Sequence, residues 1–179
     1  RGTRIRLSGD ECASFEPVWT PDGNQVIFSS DRTGVPNLFC APADGRSEAK
    51  PLTASEHPQF ANSWTSDGRL LFFTTLIGDQ LKICTFERET AESRLFESTR
   101  HNLLGARVSP DNRWVAYVSD ESGRPEVYLQ SYPDQDIKIA ISNQGGTEPV
   151  WARDGRELFY RSDDKMMVVG LVGSQSLSP

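Results

Sequence analysis

Residues 17–23 read Pro17-Val18-Trp19-Thr20-Pro21-Asp22-Gly23, and related stretches follow three more times along the chain. The copies are Trp64-Thr65-Ser66-Asp67-Gly68, Val108-Ser109-Pro110-Asp111-Asn112 and Trp151-Ala152-Arg153-Asp154-Gly155. Steps of 45, 44 and 43 residues separate the anchors Trp19, Trp64, Val108 and Trp151. A constant period of this length indicates a repeat architecture, and it is typical of β-propeller blades with four short strands each.

Each copy is predicted to form a tight turn between the first and second strands of a blade. Pro21 suits the φ of about −65° that starts a type I turn, Asp22 can accept hydrogen bonds from the nearby backbone, and Gly23 tolerates a positive φ. Asn112 replaces glycine in the third copy, and asparagine also tolerates the left-handed region. The same structural role is assigned to the turn residues of the other copies, Asp67, Gly68, Asp111, Asn112, Asp154 and Gly155.

Apolar segments at constant distances from the anchors predict the remaining strands. Alternating segments twelve residues before the anchors are interpreted as outermost strands, centred on Leu7, Leu52, Phe96 and Ile139. Continuous apolar runs after the turns are typical of strands covered on both faces, at residues 26–28, 71–73, 115–117 and 158–160. Third strands follow at residues 37–40, 82–84, 126–129 and 166–169. The sequence therefore predicts an all-β chain, with residues 1–179 forming one propeller of four-stranded antiparallel blades.

The ends of the chain bear on how the propeller closes. Residues 4–8 read as the outermost strand of a blade without its other strands, and no outermost strand follows Val172. We expect an arc of four blades from a larger, six-bladed ring, cut from a longer protein. The alternative is a closed ring of four blades in which residues 4–8 pair with residues 166–172. In an arc, the open blade edges would favour self-association.

Composition excludes two classes of partner. The net charge of −6 and the isoelectric point near 5.0 argue against the binding of nucleic acid. No segment approaches the ~18 apolar residues of a membrane-spanning helix, so this segment is not expected to insert into a membrane. The cysteines Cys12, Cys40 and Cys84 contain no C-x-x-C pair, and they are interpreted as small hydrophobic residues rather than metal ligands or a disulfide framework.

The first repeat, from Pro17-Val18-Trp19 through Val26-Ile27-Phe28 to Asn37-Leu38-Phe39, resembles the WD-like repeat of the TolB propeller family. The likeness extends over essentially the whole chain. It implies a propeller without enzymatic activity that binds proteins in the periplasm of bacteria, and that family usually has six blades. The last repeat, at residues 145–160, is also similar to C-terminal propeller regions of large bacterial serine/threonine kinases, which implies a role in signalling.

Several polar residues are candidates for a functional site. His57 and His101 both lie seven residues before an anchor, which predicts equivalent solvated loop positions rather than a catalytic pair. Asp31, Asp120, Asp163 and Asp164 follow second strands, where a calcium site is conceivable. Turn formation explains these aspartates without a metal. The sequence therefore predicts no metal, no cofactor and no catalytic residues.

Four other residues are predicted to meet at the mouth of the central channel. Glu16 and Glu148 each lie three residues before an anchor tryptophan, where the innermost strand begins. Asn62 and Arg107 lie beside the equivalent positions of the second and third repeats. These residues form the candidate binding site, and an acidic mouth would favour a basic peptide or a cation. Glutamates on a solvated channel wall are also compatible with a propeller that binds nothing there.

The predicted function is a non-catalytic module that binds a protein, a peptide or a small ligand within a larger bacterial envelope or signalling protein. The alternative is an accessory propeller of a prolyl-oligopeptidase-like peptidase. No G-x-S-x-G elbow and no kinase motif occurs in the sequence, so either activity would belong to other segments. The family resemblance favours an extracytoplasmic location, whereas unpaired cysteines are also compatible with the cytoplasm.

Overall fold

The computed structural model describes residues 5–8 and 12–171, and every regular element in these ranges is a β-strand. Blade 1 contains β1 (Ser14–Trp19), β2 (Gln25–Ser30), β3 (Asn37–Pro42) and β4 (Lys50–Pro51). Blade 2 contains β5 (Gln59–Trp64), β6 (Leu70–Ile77), β7 (Gln80–Glu87) and β8 (Ser93–Leu95). Blade 3 contains β9 (Leu103–Val108), β10 (Trp114–Ser119), β11 (Glu126–Ser131) and β12 (Lys138–Ala140). Blade 4 contains β13 (Thr147–Trp151), β14 (Glu157–Ser162) and β15 (Lys165–Gly170).

Each blade is an antiparallel sheet whose strands follow chain order. The first strands are innermost, and they pack in succession, β1 on β5, β5 on β9 and β9 on β13. This arrangement around a shared centre confirms the predicted β-propeller. Close packing between β1 and β13 does not occur in the described part of the chain. The larger six-bladed ring and self-association through open edges stay predictions.

The predicted turn between the first and second strands forms in all four blades. In blade 1 the amide of Gly23 donates a hydrogen bond to the carbonyl oxygen of Thr20 at 2.9 Å. Asp22 Oδ1 accepts hydrogen bonds from Thr20 Oγ1 at 2.6 Å and from the amide of Asn24 at 3.0 Å, and both lower the pKa of Asp22. Blade 4 has Ala152 in place of the hydroxyl residue, so Asp154 lacks the first of these bonds.

Neighbouring turns also contact one another. Asn112 has a φ of +59°, as predicted, and its Oδ1 accepts a hydrogen bond from the amide of Ser66 in the preceding turn at 2.7 Å. Pro21 and Pro110 occupy the position of Ser66 in two other turns, and proline has no N–H to donate. The next turns there carry glycine. Asparagine therefore occurs where the preceding turn presents a free backbone donor.

Apolar layers between blades form the core. Blades 1 and 2 bury Ile27 and Leu38 against Leu71 and Phe73, and the same arrangement recurs between the later blades. Cys40 and Cys84 lie on β3 and β7 and belong to or border the first layer. Burial raises the pKa of the Cys84 thiol to about 11, so it stays protonated and packs as an apolar group. No helix in the described ranges is long and apolar enough to cross a membrane.

The predicted strand at residues 4–8 is wrong for the part that is described, because residues 5–8 form no strand. A strand needs a ladder of hydrogen bonds to a neighbouring strand, and in the described part of the chain the sheet of blade 4 ends at β15. Leu7 nevertheless packs against the far face of blade 1, on the layer that contains Phe28 and Phe39. Leu52 packs against blade 2 in the same way. The repeat spacing thus predicted where Leu7 packs, but it did not predict whether the segment around Leu7 pairs as a strand. The predicted lack of an outermost strand after Val172 lies outside the described residues.

A polar side chain near the start of the third strand forms hydrogen bonds with the loop that leads to the next blade. Asn37 Oδ1 accepts a hydrogen bond from the amide of Ser55 at 2.8 Å. Lys82 Nζ donates to the carbonyl oxygens of Thr99 and His101. The side chains at this equivalent position are buried in all three blades, the third being that of Glu126 in blade 3, although β7 begins two residues before Lys82. The backbone of the equivalent loop is thus hydrogen-bonded by an amide in blade 1, an ammonium group in blade 2 and a carboxylate in blade 3.

Candidate binding cavity

A cavity of about 740 Å³ lies between the innermost strands of the four blades. Its wall includes all four residues that the sequence predicts at the channel mouth, Glu16, Asn62, Arg107 and Glu148. Each comes from a different innermost strand, so only the propeller fold brings them together. That they bind a ligand stays a prediction, which is taken up below.

A β-bulge in each innermost strand shapes this wall. The ladder between β1 and β2 skips Glu16 and Pro17, and that between β13 and β14 skips Glu148 and Pro149. Glu16 and Glu148 have φ values of +54° and +55°, and Gly105 takes the same conformation in β9 at +69°. A non-glycine residue in this region costs roughly 1–3 kcal/mol and persists only where the surrounding structure holds it there. Proline is confined to strand edges and bulges, so the Glu-Pro dipeptides carried a signal for these bulges.

Glu16 and Arg107 perturb each other across the cavity wall. Partial burial raises the pKa of Glu16, and the positive charge of Arg107 opposes that rise. Burial lowers the pKa of the Arg107 guanidinium, and Glu16 opposes that shift in turn. The two side chains form no ion pair within 4.0 Å. Arg107 instead donates from Nη1 to the carbonyl oxygen of Asn62.

Asn62 joins the second and third blades beneath the cavity surface. Its Oδ1 accepts hydrogen bonds from Thr74 Oγ1 at 2.8 Å and from the amide of Ala106 at 3.3 Å. The amide of Gly105 in turn donates to Thr74 Oγ1 at 3.2 Å. These bonds hold the bulge of β9 against β5 and β6, and they orient the Asn62 side chain.

Arg161 also lines the cavity, and the sequence interpretation missed it. It forms an ion pair with Glu148, with 2.8 Å between Nη2 and Oε1. Arg161 stands ten residues after its anchor, and the equivalent positions in blades 2 and 3 are Thr74 and Val118, which line the cavity as well. A charged residue directly after the apolar run 158–160, still within β14, was the available signal. Two arginines balance the two glutamates, so the predicted acidic mouth is wrong.

Apolar side chains complete the wall beside these charges. They include one aromatic ring, that of Phe60, which also packs against Phe15 with 5.8 Å between ring centroids. The larger aliphatic members are Val18, Leu81, Leu104, Val118 and Val150. The cavity can therefore contact both an apolar body and charged groups on one ligand.

The remaining candidates lie in loops and turns. His57 is exposed, whereas His101 is half-buried, with its Nδ1 3.8 Å from Asp120 Oδ1. Asp120 accepts hydrogen bonds from the backbone and the side chain of Asn102. Asp31 accepts one from the amide of Ala13. Within residues 5–8 and 12–171, no three His, Cys, Asp or Glu side chains are grouped to hold a metal ion.

No known protein-family profile matches the chain. The sequence is 29% identical over 130 residues to a TolB homolog from Chlorobium luteolum, an alignment that covers 72% of this chain and 29% of that protein. It is 24% identical over 164 residues to the uncharacterized peptidase YuxL of Bacillus subtilis, covering 90% of this chain and 24% of YuxL. The chain thus spans roughly a quarter of the length of these relatives.

Solved structures share the same fold. TolB from Acinetobacter baumannii superposes with a TM-score of 0.76 at 16% identity, covering 92% of this chain and 43% of that one. The putative TolB from Agrobacterium tumefaciens gives 0.74 at 17%, covering 81% and 52%. An oligogalacturonate lyase in complex with manganese gives 0.68 at 14%, covering 94% and 54%. The fold of this chain is therefore that of a TolB-like β-propeller.

Proposed function

We propose that the chain is a non-catalytic binding module that receives a protein or peptide segment in its central cavity. The observation that carries this proposal is the cavity of about 740 Å³ between the innermost strands, which is lined by charged, amide and apolar side chains. Ligand-binding clefts in proteins usually measure roughly 300–1,000 Å³. Each blade contributes to the wall, so a segment lying there would contact all four repeats.

The chemistry of the wall supports binding rather than catalysis. Its charged residues are two glutamates and two arginines, Glu16, Glu148, Arg107 and Arg161. Arginine stays protonated near neutral pH, so it recognises anions but does not transfer protons. The hydroxyl groups of the described wall belong to Thr74 and Thr147, and no histidine, cysteine or lysine accompanies them there. An activated nucleophile must also lie within hydrogen-bond reach of its base, and neither threonine hydroxyl is hydrogen-bonded to Glu16 or Glu148 in the described residues.

The similarity to TolB proteins supports an extracytoplasmic site of action in the bacterial envelope. The resemblance of the last repeat to kinase-associated propellers adds a signalling role to this proposal. A second candidate is an accessory propeller of a peptidase, which the alignment with YuxL over 90% of this chain favours. In both cases the propeller itself acts by binding.

Screening a library of short peptides against the purified chain tests the proposal. Replacing both cavity glutamates, Glu16→Gln with Glu148→Gln, should weaken binding of peptides with lysine or arginine about tenfold, because two charge-assisted contacts are lost. Glu157→Gln is the matched control, since Glu157 is exposed on β14 and is not part of the wall.

Two outcomes would contradict the proposal. Unchanged binding by the double variant would remove the cavity as the binding site. Hydrolysis of peptides, or transfer of phosphate to them, by the purified chain would overturn its non-catalytic character.

A further inference from the structure

The side chain of Asn62 presents an unused hydrogen-bond donor to the cavity. Both hydrogen bonds of this side chain end on Oδ1, which accepts from Thr74 Oγ1 and from the amide of Ala106. Because both partners are donors, the amide orientation is fixed, and Nδ2 is the group left over. Asn62 is only 7% exposed, and no hydrogen bond joins its Nδ2 to an acceptor in the described part of the chain.

Arg107 contributes further unused donors in the same wall. Its Nη1 donates to the carbonyl oxygens of Asn62 and Ala106. Nε and Nη2 donate to no acceptor in residues 5–8 and 12–171, and no carboxylate of those residues lies within 4.0 Å of the guanidinium. Trp151 Nε1 donates to the carbonyl oxygen of Arg107 at 2.8 Å and so holds its backbone in place.

The two arginines of the wall differ in whether a carboxylate lies close to the guanidinium. Arg161 already forms an ion pair with Glu148 at 2.8 Å. Arg107 has only the longer-range field of Glu16 to oppose the effect of its burial. A partly buried cation without a close anion attracts one from solution. Asn62 Nδ2 is not sealed off from the cavity, so an acceptor that enters there can reach this donor.

We propose that Arg107 and Asn62 form a carboxylate-binding subsite of the cavity. A guanidinium edge matches the two oxygens of a carboxylate, and the Asn62 amide adds a further donor beside it. The carboxylate belongs to the bound segment, either as its C-terminus or as an aspartate or glutamate side chain. This inference rests on the proposed function, because it names what that peptide site recognises.

Three peptide probes distinguish the two sources of the carboxylate. All are N-acetylated hexapeptides without basic residues, built from alanine, leucine and phenylalanine apart from the one aspartate of the third. The first has a free C-terminus, the second is its C-terminal amide, and the third is that amide with one internal aspartate. Binding is measured by isothermal titration calorimetry at low ionic strength.

We expect the free acid, the aspartate peptide or both to bind at least about tenfold more tightly than the neutral amide. Tighter binding of the free acid alone assigns the subsite to a C-terminus, and tighter binding of the aspartate peptide alone assigns it to a side chain. Equal affinity of all three probes overturns the carboxylate subsite but leaves the peptide-binding function standing. If neither these probes nor the basic library peptides bind, both proposals fail.

Variants locate the effect on the two residues. Arg107→Gln and Asn62→Asp should each remove the advantage of the carboxylate probes while leaving the amide unaffected. Asn62→Asp keeps an oxygen for Thr74 and Ala106, so it also tests the site if Arg107→Gln does not fold. Arg153→Gln is the matched control, because it removes the same charge from an exposed residue that is not part of the cavity wall. An equal loss in Arg153→Gln would show a general charge effect and overturn the assignment.

Discussion

Blades 3 and 4 share one repeat pattern but differ in burial. Leu129 on β11 pairs with Ala116, and Val168 on β15 pairs with Phe159, so the two occupy equivalent positions in their blades. Leu129 is 1% exposed, because it faces Leu158 and Tyr160 of blade 4. Val168 is 54% exposed on the opposite face of blade 4. The apolar pattern of the sequence therefore indicates which strands can be buried. The presence of a neighbouring blade determines which of them are buried.

The largest expected effect tests this difference directly. Leu129→Ala should lower the free energy of unfolding by about 2–5 kcal/mol, because it opens a cavity between two packed blades. Val168→Ala should change it by less than about 0.5 kcal/mol, since its side chain is already largely in water. Chemical denaturation of both variants measures the two values. Similar losses would mean that the far face of blade 4 is covered in solution.

The buried carboxylate of blade 3 provides a second test. Glu126 accepts hydrogen bonds from Ser142 Oγ, from the amide of Gly145 and from Arg124 Nε, the last two at 2.8 Å. Burial by itself would raise the pKa of Glu126, but these three bonds together lower it below its usual value of 4.5. The equivalent residue of blade 4 is Lys165, which is exposed.

Glu126→Gln should therefore reduce the free energy of unfolding at pH 7 by about 1–3 kcal/mol. Because the folded-state pKa lies below the unfolded one, the carboxylate stabilises the fold above pH 4.5, and this contribution is lost as the pH falls through the folded pKa. The difference between wild type and variant should narrow over that interval in denaturation curves. Lys165→Gln is the control and should be neutral. A pH-independent loss would show that shape, not charge, matters at Glu126.

The smallest effect concerns a feature in which the two blades should behave alike. Asn112 and Gly155 have φ values of +59° and +72°. Asn112 bonds to the preceding turn, and a Cβ at position 155 would lie 3.4 Å from Pro110 of the preceding turn. Asn112→Ala and Gly155→Ala should each cost roughly 1–2 kcal/mol, because alanine is strained in this region. Asn112→Gly should cost less, since glycine is not strained there. Thermal unfolding compares the three variants, and a loss confined to blade 3 would show that neighbouring blades also control the turns.

Most of the fold could be predicted because it depends on local chemistry repeated four times. The Asp-Gly turns, the innermost strands and the doubly covered second strands each need only residues within one repeat. The strand at residues 5–8 was the exception among the described elements. Alternating residues permit a strand, but a strand also needs a ladder of hydrogen bonds from another strand, and the described residues 5–8 form no strand.

The candidate site could be predicted only in part. Glu16 and Glu148 were found because the repeat places them at one position, and Asn62 and Arg107 because they lie beside it. Arg161 was missed, since it enters the cavity from a second strand and its role depends on the ion pair with Glu148. The net charge of the cavity depends on residues from several blades, so it cannot be predicted from any single repeat.

The sequence by itself determined the repeat, its strands and the turns that separate them, because these follow from backbone preferences and apolar spacing over a few residues. The tertiary structure decided which apolar faces are buried, which side chains meet in the cavity and which donors remain unused there. Asn62 shows the reason: Thr74 and Ala106, from β6 and from blade 3, occupy its oxygen and leave its nitrogen free. A hydrogen-bond donor is left unused in this way only after strands that are distant in the sequence have packed together.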